Sequence, residues 1–120
     1  MRAWLFLGAV NAGLAVGLGA YAAHGLAADP YASGLADKAS RYQMYHALAL
    51  LAVAWLRIQG AGWLALAAGA LFTSGIILFC GALYAIALFG LPWSRVAPFG
   101  GGSFILGWLA LAVLAVRWRG

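Results

Sequence analysis

Polar positions are scarce along this chain, and where they fall they divide it into four apolar stretches, at about residues 3–26, 35–57, 62–89 and 99–117. The second is the least uniform. It opens with a crowded polar head, Tyr42, Gln43, Tyr45 and His46, and runs straight into the apolar string ALALLAVAWL. At about 1.5 Å per residue, stretches of this kind can cross a hydrocarbon core of about 30 Å, the fourth by tilting or by using the residues just before it. Backbone groups in lipid have no water to bond, so spanning segments become helices. The pattern predicts an all-α fold: an integral membrane four-helix bundle, one domain over residues 1–120.

The breaks between the stretches carry turn chemistry. Gly25 can close helix one, and Asp29-Pro30 reads as an N-cap followed by proline at the first helical position. Helix two is expected to start near Leu35, outside the hydrocarbon, to enter it near Tyr42, and to pair Asp37 with Arg41 one turn on. The short IQGAG segment makes helices two and three antiparallel neighbours, and GLPWSRVAPFGGG forms the last turn. Helix one carries Gly13 and Gly17, a small-xxx-small pair that lets another helix approach. That stripe continues through Ala20 and Tyr21 to His24, which is therefore expected to face a neighbour, with Asn11 on a different face. On helix three, Thr73, Cys80 and Tyr84 share one face, and Gly75 and Gly81 offer more small surface for packing. Arg2 and Ala20-Tyr21-Ala22 imitate a signal peptide, but the apolar run is longer than an ordinary h-region.

Composition makes the membrane reading firm. The chain is 67% hydrophobic and 8% charged, whereas a soluble domain needs about a quarter charged residues to cover itself. The net charge of +5 sits at the edges of the apolar runs, where it meets lipid headgroups rather than nucleic acid. Arg2, Arg57, Arg117 and Arg119 fall on the side of the termini, against Lys38, Arg41 and Arg95 on the other. That bias places both termini in the cytoplasm. With no acid-poor presequence ahead of helix one, the expected setting is the bacterial inner (plasma) membrane. The single cysteine, Cys80, excludes an intrachain disulfide.

Topology gathers the remaining polar residues into one layer near the non-terminal face: His24, Gln43, His46, Tyr84, Gly100, Gly101 and Ser103. Two histidines could ligate haem or another metal. Histidine with tyrosine and glutamine suits a quinone or a proton path, and a glycine-rich helix start suits an anionic headgroup. Against these stands packing: polar groups in a bundle often act only as glue. Asp29 and Asp37 both fall ahead of Tyr42 in the first connection, so no carboxylate enters the hydrocarbon, which argues against a small transporter; no complete catalytic set exists, so no enzyme is expected. The reading preferred from sequence is a structural or accessory protein without a cofactor, packing with itself or in a larger membrane complex. The alternative is a membrane binding protein for haem, quinone or lipid around His24 and His46.

Four strings carry a resemblance: AYAAHGL (20–26), DKASRYQMYHALALL (37–51), LFCGALYAIAL (78–88) and APFGGGSFILGWLALA (97–112). Together, and in this order, they resemble the DUF423 family of small multi-pass membrane proteins, which has a human relative called transmembrane protein 256. The resemblance implies a four-helix integral membrane protein and no established activity, substrate or cofactor. It places family motif positions on His24, His46, Pro98, Gly100 and Gly101. Members often have a serine or another small residue where this chain has Cys80, which implies no general role for the thiol.

Overall fold

The computed structural model describes residues 2–118, which form four helices and no strand. They are α1 (Arg2–His24), α2 (Pro30–Ile58), α3 (Trp63–Phe89) and α4 (Ala97–Arg117). Arg119, counted above with the basic residues of the terminal side, lies outside the described residues. The fold is all-α, as the apolar pattern predicts.

α2 starts at Pro30 rather than near Leu35. Asp29 caps it, accepting from the Ala32 N–H at 3.2 Å, and Pro30 supplies a preset φ where no N–H is needed. Gly34 does not interrupt it, because Ser33 donates to the Ala22 carbonyl at 2.8 Å and ties this first part of the helix to the end of α1. α2 ends in a Schellman turn: the Ala61 N–H reaches the Leu56 carbonyl, Gly60 reaches Arg57, and Gly60 takes φ +86°.

α1, α3 and α4 are each long and apolar enough to cross a membrane; α2 falls short of the same measure. Its place in the bundle explains the difference. α2 packs along both α1 and α3, so its polar side chains meet protein instead of lipid. Its 29 residues make a helix about 43 Å long, so its first turns stand beyond a hydrocarbon core of about 30 Å. The α3 span is 44% buried against 11% for α1, so α2 and α3 form the inside and α1 the periphery.

The two outer seams use different contacts. The buried residues of α1 are Gly8, Ala15 and Ala22, a seven-residue repeat that lays small side chains against α2. Gly13 and Gly17, expected at this seam, lie on the opposite face, with nothing within 4 Å of where a Cβ would stand. The α3–α4 seam interlocks rings with glycines. Phe104 fills the notch over Gly75, Phe72 fills the one over Gly107, and Gly100 rides on the backbone of Phe79. Phe79 belongs to a π-helical turn, Ile76–Cys80, where the Gly81 N–H bonds back to the Ile76 carbonyl. Gly81 itself meets no neighbouring helix; a Cβ there would find only that same carbonyl oxygen, 4.0 Å away. α3 then closes at Gly90, with φ +65°.

Candidate functional site

Two polar constructions hold the middle of the bundle. The first crosses three helices. Tyr84 Oη donates to Gln43 Oε1 at 2.8 Å, Gln43 Nε2 donates to Asn11 Oδ1 at 2.9 Å, and Asn11 Nδ2 donates to the Leu7 carbonyl at 2.8 Å. Each amide uses both its ends, which matters where water cannot substitute. Asn11 is absent from the polar layer expected from sequence, because the Gly13/Gly17 stripe points the packing face of α1 elsewhere. It sits between Gly8 and Ala15 on the face that packs, and it is the only amide in its own apolar run, which is signal enough.

The second construction is built on His46, one turn after Tyr42. A carbonyl can only accept, so the 2.7 Å contact with the Tyr42 carbonyl makes Nδ1 the donor. An indole N–H can only donate, so Nε2 accepts from Trp108 Nε1 at 3.1 Å. His46 is therefore a neutral imidazole with both nitrogens engaged. Phe104 stacks on it with centroids 3.5 Å apart and planes 9° apart, and Phe72 packs at 5.5 Å. Among the described residues, no buried side-chain polar atom lacks a partner.

Beside this cluster lies a cleft of about 600 Å³, in the gap between α2 and α4 with α3 as its floor. The less exposed His46, Phe79 and Phe104 line it together with Tyr42, Tyr45, Gly101, Ile105 and Trp108. The Tyr42 ring stands 5.0 Å from Phe79 and 6.4 Å from Phe104, nearly parallel to the latter. Tyr42, Tyr45, Ile105 and Trp108 are exposed on the flank of the bundle, so the cleft opens sideways. The chemistry is apolar and aromatic, with Tyr42 and Tyr45 on the α2 wall.

The residues expected to form one layer have separated roles. His24 is exposed, bonds the Ala20 carbonyl of its own helix at 2.9 Å, and does not line the cleft. Gln43 and Tyr84 belong to the three-helix chain and His46 to the ring cluster. Ser103 donates to the Leu71 carbonyl at 2.6 Å and fastens α4 to α3. Gly100 is a packing position, and Gly101, one residue on, faces the cleft. A haem iron would have to displace the Trp108 indole from His46 and would find no second histidine in the cleft. Among the described residues, no three His, Cys, Asp or Glu side chains gather as a metal site.

The DUF423 profile, described as a protein of unknown function, matches residues 18–101. The chain belongs to the DUF423 family. The family match contains Gln43, His46, Tyr84 and Gly101 but stops short of Phe104 and Trp108. Full-length similarity covers those as well. A UPF0382 membrane protein of Staphylococcus epidermidis is 40% identical over 130 residues, spanning 100% of both chains. The UPF0382 membrane protein YwdK of Bacillus subtilis is 40% identical over 98% of this chain and 99% of its own length. A third, from Staphylococcus saprophyticus, is 41% identical over 94% and 96%. No solved structure matches the chain. This DUF423 member is thus a multi-pass helical membrane protein of an uncharacterised family.

Proposed function

We propose that this protein is a non-catalytic binding protein of the bilayer that holds an amphiphile with a flat ring headgroup, such as a quinone, in the cleft between α2 and α4. One observation carries the reading: six rings, those of Tyr42, Tyr45, His46, Phe79, Phe104 and Trp108, wall a cavity of about 600 Å³ that opens on the flank of the bundle. A lipid-soluble ligand would enter sideways from the hydrocarbon, lay its ring against Tyr42 and Phe104, and take hydrogen bonds from the tyrosine hydroxyls. The saturated polar groups behind the cleft serve to keep its floor rigid. The same proposal sets the protein in the bacterial inner membrane with both termini cytoplasmic. Thiol labelling of a cysteine placed near Lys38, in a Cys80→Ser background, checks the orientation: labelling from outside the cell is expected.

Native mass spectrometry after extraction in a gentle detergent tests the cleft. Gly101→Leu projects a side chain into it from a position with room for the new Cβ, since nothing stands within 4 Å of that point. The expected result is an extra mass on the wild-type monomer that Gly101→Leu loses and His24→Ala keeps. A bare wild-type monomer, or retention in Gly101→Leu, overturns the assignment.

A second reading, an accessory protein that packs with itself or in a larger membrane complex, has its own support. Among the described residues, nothing stands within 4 Å of a Cβ at Gly13 or Gly17 of α1, and such small-residue faces suit close helix approach. A dimer or a co-purifying membrane protein that disappears in Gly13→Ile would favour it.

A further inference from the structure

The opposite end of the bundle has a character of its own. There the last turn of α2, the first of α3 and the last of α4 meet around a small core of Ala61, Ala65 and Leu114. Two cavities flank this core, with Leu114 and Trp118 as their common wall. One, of about 240 Å³, has Arg117 at its edge beside Trp63. The other, of about 380 Å³, is an apolar groove over Trp55, Leu111 and Ala115.

Among the described residues, the charged side chains at this end have one sign. The only acidic residues of the chain, Asp29 and Asp37, lie on the far side of the bundle. The one ion pair among the described residues, Arg41 with Asp37 at 2.9 Å, is there too. Arg57 donates to the Ala61 carbonyl, which holds its guanidinium over the junction and leaves most of its donors unused by that bond. Trp55, Trp63 and Trp118 ring the same end and are partly or largely exposed. Tryptophan settles at the headgroup level of a bilayer, so the guanidinium groups stand at phosphate depth.

We infer that this end binds one anionic phospholipid, its phosphate against Arg117 and Arg57 and an acyl chain in the groove over Trp55 and Leu111. The two cavities select together. A free phosphate meets the guanidinium groups but leaves the groove empty, and an exposed ion pair alone is weak. A zwitterionic lipid fills the groove but brings a cation to a place where, among the described residues, no side chain offers a carboxylate. This site is independent of the aromatic cleft, which lies nearer the other end of the same helices.

The test is native mass spectrometry of the full chain in detergent, titrated with phosphatidylglycerol, with phosphatidylcholine, or with inorganic phosphate. Phosphatidylglycerol is expected to give a single saturable adduct at the lowest concentration of the three. Arg117→Gln is expected to weaken that adduct by about fivefold, whereas Arg41→Gln, at the other end, leaves it unchanged. Size-exclusion chromatography of each variant checks that it is folded; should Arg117→Gln fail, Arg57→Gln is read in its place. Equal binding of the two lipids, or equal weakening by Arg41→Gln, overturns the inference. So does a phosphate adduct with no preference for phosphatidylglycerol, because the ligand is then a free anion.

Discussion

Where α1 meets α2, the contact is made by small residues and two polar bridges; where α3 meets α4, it is made chiefly by rings seated in glycine notches. Lipid tails are as apolar as leucine, so neither seam gains from hiding hydrophobic surface, and both depend on close van der Waals fit. They reach it differently. Gly8 faces the flexible end of Leu51 and the Ala47 carbonyl, so part of that contact can give way. Gly100 faces the backbone of Phe79 itself, which cannot. The ring-and-glycine seam is the unforgiving one, and it also carries Phe79, Phe104 and Trp108, the far wall of the cleft. The rigid half of the molecule therefore shapes the candidate site, and the compliant half lines the outside.

Substitutions at matched positions test that contrast. Gly100→Ala has the largest expected effect, a loss of about 3 kcal/mol, seen as collapse of folded yield or as early SDS unfolding followed by tryptophan fluorescence. Gly8→Ala should cost clearly less, because Leu51 can change rotamer; equal losses would erase the distinction between the seams. Next comes Gln43→Leu. It strands Asn11 and Tyr84 together and should cost about 1–3 kcal/mol. Adding Asn11→Leu should restore part of that stability, and a double mutant no better than the single would show that the chain does not act as a unit. Trp108→Phe removes one donor from His46 and leaves its ring packing, for a cost of about 1 kcal/mol. Smallest of all, Gly13→Ala and Gly17→Ala should leave the monomer unharmed or slightly more stable, since alanine favours a helix by up to about 1 kcal/mol. Marked destabilisation of the monomer by either would mean that α1 is rotated from the face described.

The site was partly legible in the chain. His46, Gln43, Tyr84 and Ser103 stood out as polar residues in apolar runs, and all four bond across or within the bundle. What they bond to was not legible. Trp108 reads as one more apolar residue until its indole N–H is found on His46, 62 positions away. His24 and His46 look alike in sequence, yet one lies exposed at a helix end and the other is clamped between rings. Gly100 and Gly101 are neighbours of the same type, but 100° of helical turn sends one into the backbone of Phe79 and the other into the cleft.

By itself the sequence determined the class of the molecule: four helices, their order, their turns and a membrane as solvent. Those follow from local rules, since hydrophobic length, proline, glycine and charge act on the residues beside them. Only the tertiary structure decided which face of each helix is inside. The Gly13/Gly17 stripe and the Gly8/Ala15/Ala22 stripe are both plausible seams on an isolated α1, and the partner surface of α2 chose between them. The π turn at Ile76–Cys80 shifts the register of α3 midway, so the face before it and the face after it are not one continuous stripe. The cleft exists because α2 and α4 flank α3 without closing on each other, and that gap is a property of three helices together.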